Sequence, residues 1–302
     1  MYVLQSILDT LQFIIFFIYY CLEACVLKFF PFRKNVAGKI VLITGSANGI
    51  GREVALNFAH LGAILVLWDI DEEGLEETVK LVRENGARAI YSYKCDVGNR
   101  EEVYATADKV KKEVGDVDIL VNDAGVLSAK TLMNLSDSEI EHTLDVNTLA
   151  HFWTCRAFLP AMIANNAGHL VTVSSLLALL LLNTFSLFSD YSASKCAANG
   201  FLESVSFELW AAGKKGVNTT IVYPYYVNTS MVTGVKTLRP CLLPILDVAY
   251  VGKRIVDAIL KEELYVTIPS FSEVFIQYCL LISFNIILNT FIPSFGFQKR
   301  KK

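Results

Sequence analysis

The sequence has little net charge and no excess of basic residues. Its 302 residues carry a formal charge of −3, and 19% of them are charged whereas 53% are hydrophobic. A nucleic-acid-binding surface needs a concentration of Lys and Arg that this composition does not offer, so we expect no nucleic-acid partner. The composition indicates instead a large apolar core or contact with a membrane.

Cysteine pairs of the kind that bind zinc are also missing. The seven cysteines are scattered and odd in number, and none of them forms a Cys-x-x-Cys motif. This pattern argues against a disulfide framework and against a zinc site, and it is typical of reduced thiols in the cytosol. We therefore expect no metal in the functional site.

Positive charge is absent before the first apolar run, which begins at Leu11 and continues to residue 30. A secretory signal peptide carries Lys or Arg ahead of its apolar segment, so this run does not fit one. Glu23 interrupts the run and makes it a marginal membrane span, while a buried core helix would leave its many aromatic rings uncovered. We interpret residues 1–35 as a membrane anchor that spans the bilayer or lies in its interface.

Basic residues at the ends of the apolar segments indicate an orientation. Lys28, Arg33 and Lys34 end the N-terminal run, and by the positive-inside rule the remainder of the chain then lies in the cytosol. Residues 271–302 form a second apolar extension that ends in four basic residues. This extension suits a helix in the membrane interface, and a helix that caps a substrate cleft or meets a dimer partner is the alternative.

Residues 36–270 alternate short apolar runs with amphipathic or polar stretches. Uniformly apolar runs are expected for parallel strands that are covered on both faces. Such runs predict seven strands, at residues 39–44, 64–68, 89–94, 118–121, 169–173, 217–222 and 264–268, and the stretches between them predict helices at 52–60, 72–85, 101–115 and 248–261. The pattern predicts one α/β domain with a Rossmann-type, doubly wound parallel sheet.

The first predicted strand leads directly into a glycine-rich turn, Gly45-Ser46-Ala47-Asn48-Gly49-Ile50-Gly51. Glycines let the backbone turn tightly and approach a pyrophosphate at the positive end of the following helix. Glycines alone are weak evidence, but a strand, a glycine turn and a helix in this order are the context that a dinucleotide site requires. We predict cofactor contacts from Gly45, Asn48, Gly49, Ile50 and Gly51.

The second predicted strand ends in Asp69, about 20 residues after the turn, where a carboxylate binds the adenosine ribose hydroxyls. A carboxylate there repels the 2′-phosphate of NADP, and no Lys or Arg in the turn or just after Asp69 would hold that phosphate. The predicted cofactor is therefore NAD. Capping of the helix that begins near Glu72 is a second, compatible role for Asp69.

Further cofactor candidates follow the third and fourth strands. Asp96 and Val97 come at the carboxyl end of the third strand, on the edge where this architecture binds ligands. After the fourth strand, small residues let adenine and ribose pack against the backbone, which makes Asn122, Ala124 and Gly125 candidates. For Asn122 we expect a mainly structural role that ties neighbouring strands together.

Tyr191 and Lys195 lie four residues apart in Tyr191-Ser192-Ala193-Ser194-Lys195, and they share one face if the segment is helical. A free Tyr loses its proton only near pH ~10, but a nearby ammonium favours the phenolate and lowers that pKa. The pair therefore predicts acid–base chemistry. Taken alone, the pair is more typical of a surface helix that carries Tyr and Lys by chance.

Together these motifs resemble the short-chain dehydrogenase/reductase family. The chain carries T-G-x-x-x-G-x-G at residues 44–51, the acidic Asp69, a variant of N-N-A-G at residues 122–125 and Y-x-x-x-K at residues 191–195. Four features in the family's order are unlike a chance match. The resemblance implies a nicotinamide-linked oxidoreductase that forms a homodimer.

The resemblance also implies four catalytic residues. Tyr191 would take the proton of an alcohol, and Lys195 would bind ribose hydroxyls and lower the pKa of Tyr191. Asn147 matches a helical Asn of the family's proton relay, although an Asn in a helix is more often a local hydrogen-bonding residue. Ser175 matches the Ser that orients the substrate oxygen, with Ser174 as the alternative.

After the sixth strand, Val227 and Thr229 match the segment that holds the nicotinamide carboxamide in the family. Tyr225 stands where the family has Gly, which narrows the choice of backbone conformation. The apolar residues between positions 230 and 246 predict a loop that contacts the substrate. Apolar residues at this position are equally compatible with a role in the hydrophobic core.

The spacing ahead of Tyr191 also departs from the family pattern. Sixteen positions separate Ser175 from Tyr191, three more than usual, and residues 176–182 are rich in Leu. Such a loop would widen an apolar entrance or enter the bilayer, or it would misplace Ser175, and a shift of ~1 Å can lower a rate ~10²-fold. Asp123 also replaces the second Asn of N-N-A-G.

More narrowly, residues 33–38, 65–70 and 150–153 resemble a membrane-bound branch with retinol dehydrogenases and lipid-droplet 17β-hydroxysteroid dehydrogenases. This resemblance implies oxidation of a lipophilic alcohol, all-trans-retinol to all-trans-retinal, at the endoplasmic-reticulum membrane with the catalytic domain facing the cytosol. Lipid droplets are a second location. The alternatives are a 17β-hydroxysteroid or fatty-alcohol dehydrogenase and a catalytically weak scaffold protein of a membrane or lipid droplet.

Overall fold

The computed structural model describes residues 8, 10–12, 14–16, 18–19, 22, 32–87, 89–179, 188–232 and 244–270. The predicted anchor is thus described only in part. Much of the Leu-rich loop and of the predicted substrate loop, and the whole C-terminal extension, lie outside the described residues. Within these ranges, no helix is both long enough and apolar enough to cross a membrane.

In the described part of the chain, seven strands form one sheet. They are Ile40–Thr44 (β1), Ile64–Asp69 (β2), Ala89–Lys94 (β3), Ile119–Asn122 (β4), Gly168–Val173 (β5), Val217–Pro224 (β6) and Tyr265–Ile268 (β7). Their order is β3-β2-β1-β4-β5-β6-β7, and all neighbouring pairs are parallel. The order reverses between β1 and β4, and sheets of this type bind ligands beyond the strand ends at such a switch point.

Helices cover both faces of the sheet. They are Gly49–His60 (α1), Glu72–Glu84 (α2), Arg100–Glu113 (α3), Asp137–Leu144 (α4), Ala150–Asn165 (α5), Ser189–Ala211 (α6) and Val248–Lys261 (α7), with a π-helical segment at Asp145–Leu149. One apolar core lies between the sheet and α1, α2 and α7, and a second lies between the sheet and α3, α5 and α6. Alternate residues of β1 enter opposite cores, as the two-residue period of a strand requires.

The structure confirms the predicted fold class, a single Rossmann-type α/β domain with a parallel sheet. The seven strands lie where the apolar runs predict them, within two residues at each end. The first helix differs, because it begins at Gly49 inside the glycine motif rather than at Arg52. Four residues after β1 are enough for the turn, and the last glycines already belong to the helix.

A chain of buried and part-buried hydrogen bonds fixes the end of the predicted anchor, at Lys34, to the domain. Lys34 donates its backbone N–H to Leu260 O at 2.9 Å, and its Nζ lies 2.5 Å from His169 Nδ1. His169 Nε2 lies 2.8 Å from the Thr220 hydroxyl, which donates to Glu263 O at 2.6 Å. Because the Thr220 hydroxyl donates its proton to Glu263 O, it must accept a hydrogen bond from His169. His169 is therefore protonated on Nε2, and its Nδ1 accepts a hydrogen bond from Lys34 Nζ. The segment is thereby tied to the amino edge of the sheet.

Candidate active site

A polar cleft opens at the carboxyl ends of β1 to β5, on both sides of the switch point. It encloses about 1070 Å³, part of which is open to solvent. Twelve of the residues predicted from sequence line it: Gly45, Asn48, Gly49, Ile50, Asp69, Asp96, Val97, Ala124, Gly125, Tyr191, Lys195 and Thr229. Within the described part of the chain, no group of three or more His, Cys, Asp or Glu side chains has the arrangement of a metal site.

Two of the glycines in the turn, Gly45 and Gly51, leave no room for a side chain. Gly45 has a φ of +72°, and a methyl group there would come 2.7 Å from Ala124 Cα. A methyl group on Gly51 would come 2.2 Å from Gly45 O. The Thr44 hydroxyl accepts hydrogen bonds from the N–H groups of Asp123 (3.1 Å) and Ala124 (3.2 Å), which locks the turn to the loop after β4.

The N-terminus of α1 suits an anion. Asn48 is the N-cap residue but makes no side-chain capping hydrogen bond, and the first turn of α1 contains no acidic residue. The backbone N–H groups at this end therefore have no capping oxygen from Asn48, and the helix dipole favours negative charge there. These features fit the pyrophosphate of a dinucleotide.

Asp69 ends β2 with its carboxylate at the cleft. Its Oδ2 accepts from the Ala47 N–H of the glycine turn at 2.8 Å, and its Oδ1 accepts from the Asp71 N–H at 3.0 Å. The cap of α2 is Asp71, whose side chain accepts from Gly74 N–H at 3.1 Å. The capping role considered for Asp69 is therefore wrong, and Asp69 instead joins the turn to the end of β2.

Arg52, the first basic residue after the glycine turn, is held away from a ribose phosphate. Its Nε lies 2.9 Å from Thr78 Oγ1 and 3.0 Å from Ala47 O, and its Nη2 contacts Glu77 Oε2 at 2.7 Å. Glu77 neutralises the guanidinium, and these partners engage its Nε and Nη2 donors. Arg52 thus offers little to a 2′-phosphate beside Asp69.

Three predicted cofactor residues do not line the cleft. Gly51 packs against the turn, and its N–H donates to the Asp123 carboxylate. Asn122 is buried and its Oδ1 accepts from Thr154 Oγ1 at 2.9 Å, so it has the structural role that we expected to dominate. Val227 lines the neighbouring apolar pocket instead.

Tyr191 and Lys195 share the first turns of α6. Lys195 Nζ lies 5.7 Å from the centroid of the Tyr191 ring and donates to Val173 O at 2.9 Å. The Ser175 hydroxyl is hydrogen-bonded to the Tyr191 side chain, whereas the Ser174 hydroxyl faces Lys195 O at 3.4 Å. Of the two serines, Ser175 is therefore the one that contacts Tyr191, in spite of the longer connection between them.

Burial dominates the electrostatics of this pair. It raises the pKa of Tyr191 to about 12, and the hydrogen bond from Ser175 acts in the opposite direction. Burial also lowers the pKa of Lys195. The lowered pKa predicted for Tyr191 from the presence of Lys195 alone is therefore wrong, because removal of the phenol from water has the larger effect.

Asn147 lies in the π-helical segment and is fully buried outside the cleft. Its Oδ1 accepts from Val126 N–H at 2.8 Å, and its Nδ2 donates to Val126 O (2.9 Å) and to Ser194 Oγ (3.0 Å). The Ser194 hydroxyl in turn donates to Tyr191 O at 2.7 Å. The amide of Asn147 thus joins the loop after β4 to the backbone of the Tyr191 turn, and sequence reasoning missed Ser194 as the link.

An apolar pocket adjoins the cleft and encloses about 650 Å³, part of which is open to solvent. Ser175 and Tyr191 line it, and Tyr191 lines the cleft as well. Its walls are mainly apolar or aromatic, and they include Leu127, Leu176, Leu177, Phe188, Tyr225, Tyr226, Val227, Met231 and Val232. A lipophilic molecule in this pocket would have its polar end at Tyr191.

Tyr225 occupies its position without backbone strain. Its φ is not positive, and its N–H donates to Ile268 O at 2.8 Å, so no glycine is needed there. Its ring packs edge-on against Tyr226 at a centroid distance of 4.9 Å. The departure from the family pattern therefore changes the pocket wall rather than the path of the chain.

Other residues line the cleft that sequence reasoning did not select: Ile70, Cys95, Asp123, Val126, His142, Val146 and Val173. Ser174, the alternative to Ser175, and Met231 of the predicted substrate loop line it as well. Ile70, Cys95 and Val173 lie at strand ends, so the rule that selected Asp69 and Asp96 would have found them. His142 and Val146 come from α4 and the π-helical segment, where no motif indicates a ligand.

Comparison with known proteins places this site in a family. The family profile described as short chain dehydrogenase matches residues 39–239. Short-chain dehydrogenase/reductase family 16C member 6 of Bos taurus is 47% identical over 286 residues, 94% of this chain and 90% of the relative. Epidermal retinol dehydrogenase 2 of Mus musculus is 49% identical (89% and 88% covered), and 17-beta-hydroxysteroid dehydrogenase 13 of Homo sapiens is 42% identical (91% and 89% covered).

Solved structures agree with these sequence matches. A short-chain dehydrogenase/reductase from Burkholderia phymatum in complex with NAD superposes with a TM-score of 0.71 at 28% identity, covering 81% of this chain and 93% of that one. A metagenomic short-chain oxidoreductase in complex with NADP gives a TM-score of 0.64 at 26% identity, covering 78% and 96%. The chain therefore belongs to the short-chain dehydrogenase family of oxidoreductases.

Proposed function

We propose that this protein oxidises a lipophilic alcohol with NAD, and that all-trans-retinol is its substrate and all-trans-retinal its product. One observation carries the proposal: Tyr191 lies where the polar cleft meets the apolar pocket and lines both. A hydroxyl at the end of an apolar molecule would reach Tyr191 from the pocket. The dinucleotide would approach the same residue from the cleft.

The side chains divide the chemistry between them. Ser175 holds the alcohol oxygen next to Tyr191, and the Tyr191 phenolate takes the hydroxyl proton and becomes a phenol. The ammonium of Lys195 stabilises that phenolate, and Asn147 positions the turn that carries Tyr191. NAD, when bound, supplies a nicotinamide ring that accepts the hydride from the alcohol carbon. The alcohol thus becomes a carbonyl compound, and the proton leaves Tyr191 for solvent.

The choice of substrate is supported by the apolar walls of the pocket and by the names of the relatives, which are retinol and 17-beta-hydroxysteroid dehydrogenases. A test supplies membranes that contain the full chain with NAD and either all-trans-retinol or oestradiol, and separates the products by chromatography. Retinal formation that exceeds steroid oxidation supports the proposal. Faster steroid turnover would make the protein a 17β-hydroxysteroid dehydrogenase, and no turnover of either would favour a scaffold role.

Preference for NAD should depend on Asp69. Asp69→Asn removes the negative charge beside the adenosine ribose, and its single amide oxygen can accept from only one of the two N–H groups, those of Ala47 and Asp71, that the two carboxylate oxygens bind. A hydrogen bond to a charged group contributes about 1.5–3 kcal/mol, so we expect NAD affinity to fall about tenfold or more and the preference over NADP to shrink. Titration of each dinucleotide against protein fluorescence measures both quantities.

Asp71→Asn is the matched control for this change. It removes a carboxylate two residues away, and Asn still caps α2 because Asn and Asp are comparable N-cap residues. The control should keep the preference for NAD. Equal loss of preference in both variants would mean that general negative charge, and not Asp69, selects the cofactor.

Membrane attachment is part of the proposal, with residues 1–35 as the anchor and the catalytic domain facing the cytosol at the endoplasmic reticulum or lipid droplets. The apolar N-terminal run, the basic residues that end it and the apolar pocket support it. Fractionation of cells that express the full chain, with alkaline extraction of the membranes, provides the test. Recovery in the soluble fraction would contradict the proposal.

We also propose a homodimer. Phe207 and Trp210 are 72% and 71% exposed on α6, and Phe152 of α5 stacks on Phe201 of α6 at 4.0 Å. Neighbouring exposed aromatic residues on two helices are typical of a surface that another protein covers. Sedimentation velocity in detergent distinguishes a dimer from a monomer.

A further inference from the structure

Asp123 holds a carboxylate between the glycine turn and Lys195. Its backbone N–H donates to Thr44 Oγ1 at 3.1 Å, which fixes the residue relative to β1. Its carboxylate accepts from the Gly51 N–H, and a methyl group on Gly51 would come 3.0 Å from Asp123 Oδ2. The side chain lines the cleft, so its charge lies inside the region that a dinucleotide would occupy.

The same carboxylate is a neighbour of the reacting pair. A methyl group on Gly125 would lie 3.5 Å from Lys195 Nζ and 3.8 Å from the backbone carbonyl oxygen of Asp123, so the ammonium lies beside the loop that carries Asp123. The carboxylate of Asp123 and the ammonium of Lys195 interact electrostatically. Lys195 and Tyr191 face Asp123 from α6, and Asp69 faces it from the end of β2. Two further titratable groups, Asp96 after β3 and His142 on α4, line the same cleft.

These surroundings change how Asp123 titrates. Burial is the largest effect and raises its pKa, the Asp69 carboxylate adds to that rise, and Lys195 and the Gly51 N–H oppose it. A negative charge on Asp123 also raises the pKa of Tyr191. The group therefore changes charge closer to neutral pH than an ordinary Asp, whose pKa is about 3.9.

We propose that Asp123 sets the pH range in which this cleft binds a dinucleotide and in which Tyr191 takes a proton. As a carboxylate, it repels the pyrophosphate at the N-terminus of α1 and stabilises the protonated form of Tyr191. As a neutral carboxyl group, it does neither. The effect on Tyr191 rests on the proposed function, whereas the effect on dinucleotide binding does not.

Asp123→Asn removes the negative charge of the side chain and keeps its size and shape. Asn keeps an oxygen for the Gly51 N–H but carries no charge at any pH. NADH affinity, measured by fluorescence titration of the full chain in detergent from pH 5.5 to 9, should weaken about tenfold in the wild-type protein as Asp123 ionises. In the variant, that part of the pH dependence should be lost, because residue 123 no longer titrates.

Asp123→Ala identifies a purely structural role. It removes both the charge and the acceptor for Gly51, so it should show the same flat pH dependence as Asp123→Asn with weaker binding at every pH. The proposal is overturned if NADH affinity depends on pH in the same way in the wild-type protein and in Asp123→Asn, and only Asp123→Ala differs. The residue would then act through its hydrogen bond and not through its charge.

The pH–rate profile provides a second measurement, which a structural role would not move. The acid limb of kcat/KM for retinol oxidation should shift to lower pH by about 1 unit in Asp123→Asn, since a like charge no longer opposes the Tyr191 phenolate. If NADH binding shows the expected difference but no alcohol is oxidised, the role of Asp123 in binding stands and the proposed function fails. If retinol is oxidised and neither binding nor the acid limb responds, the proposed function stands and the role of Asp123 fails.

Discussion

Tyr191→Phe is expected to lower kcat/KM for alcohol oxidation by about 10²–10⁴-fold, which is the usual contribution of a positioned acid or base. The ring remains, so packing on α6 and the walls of the pocket are kept, but the hydroxyl that Ser175 contacts is lost. NADH affinity should change little, because the main contacts of the dinucleotide come from the glycine turn and Asp69. Retinal formed in membranes that contain each protein measures the loss.

Tyr225→Phe is the control for this result. Tyr225 lines the same apolar pocket, and its substitution by Phe also removes only a hydroxyl group. The hydrogen bond from Tyr225 to Ile268 O is made by the backbone N–H, so the substitution leaves it in place. Turnover by this variant should stay close to that of the wild-type protein. Equal activity of Tyr191→Phe and wild type would show that Tyr191 is not the base and would leave the cleft without its predicted chemistry.

The sheet could be predicted from the sequence because parallel strands are covered on both faces. The runs that became β1 and β2 are apolar at almost every position, and few other elements of a soluble domain allow that. Because all the strands are parallel, their carboxyl ends lie at one edge of the sheet, so the sequence alone places Asp69 and Asp96 at the cleft. The order of the motifs supplied the remaining site residues.

What could not be predicted depends on side-chain partners. The glycine motif does not reveal that Arg52 is neutralised by Glu77. The two residues lie 25 positions apart in the sequence, on different helices, and only the fold brings them together. Asn147 matches a motif, yet its amide is used to hold Val126 and Ser194, and the π-helical segment that places it there has no sequence signal. The Ser175 contact with Tyr191 is similar, since the longer loop between them gave no reason to expect it.

The direction of the Tyr191 pKa was wrong for a related reason. Spacing along a helix shows that Lys195 is close, but it does not show how much water the fold removes from the phenol. Burial is a property of the whole site, and here it outweighs the pairing that the motif suggests. Motifs therefore gave the candidates for the reacting groups, and the folded structure gave the electrostatics of their surroundings.

Gly51→Ala is expected to disrupt dinucleotide binding, although Gly51 does not line the cleft. The new methyl group would come 2.2 Å from Gly45 O and 2.8 Å from Gly45 C, and both are backbone atoms that cannot swing aside. The turn must shift, and overpacking of this kind costs about 1–3 kcal/mol. If the turn must pay this free energy when it binds NADH, the affinity for NADH falls by about 5–150-fold, which fluorescence titration detects.

Gly200→Ala provides the comparison within the same protein. Gly200 lies in α6 with no atom within 4 Å of the position of an added methyl group, and Ala is favoured over Gly in a helix by about 0.5–1 kcal/mol. This variant should bind NADH normally and melt at the same or a higher temperature. If Gly51→Ala instead behaved like Gly200→Ala, the turn would tolerate displacement, and close backbone contact between Gly45 and Gly51 could not be what shapes the pyrophosphate site.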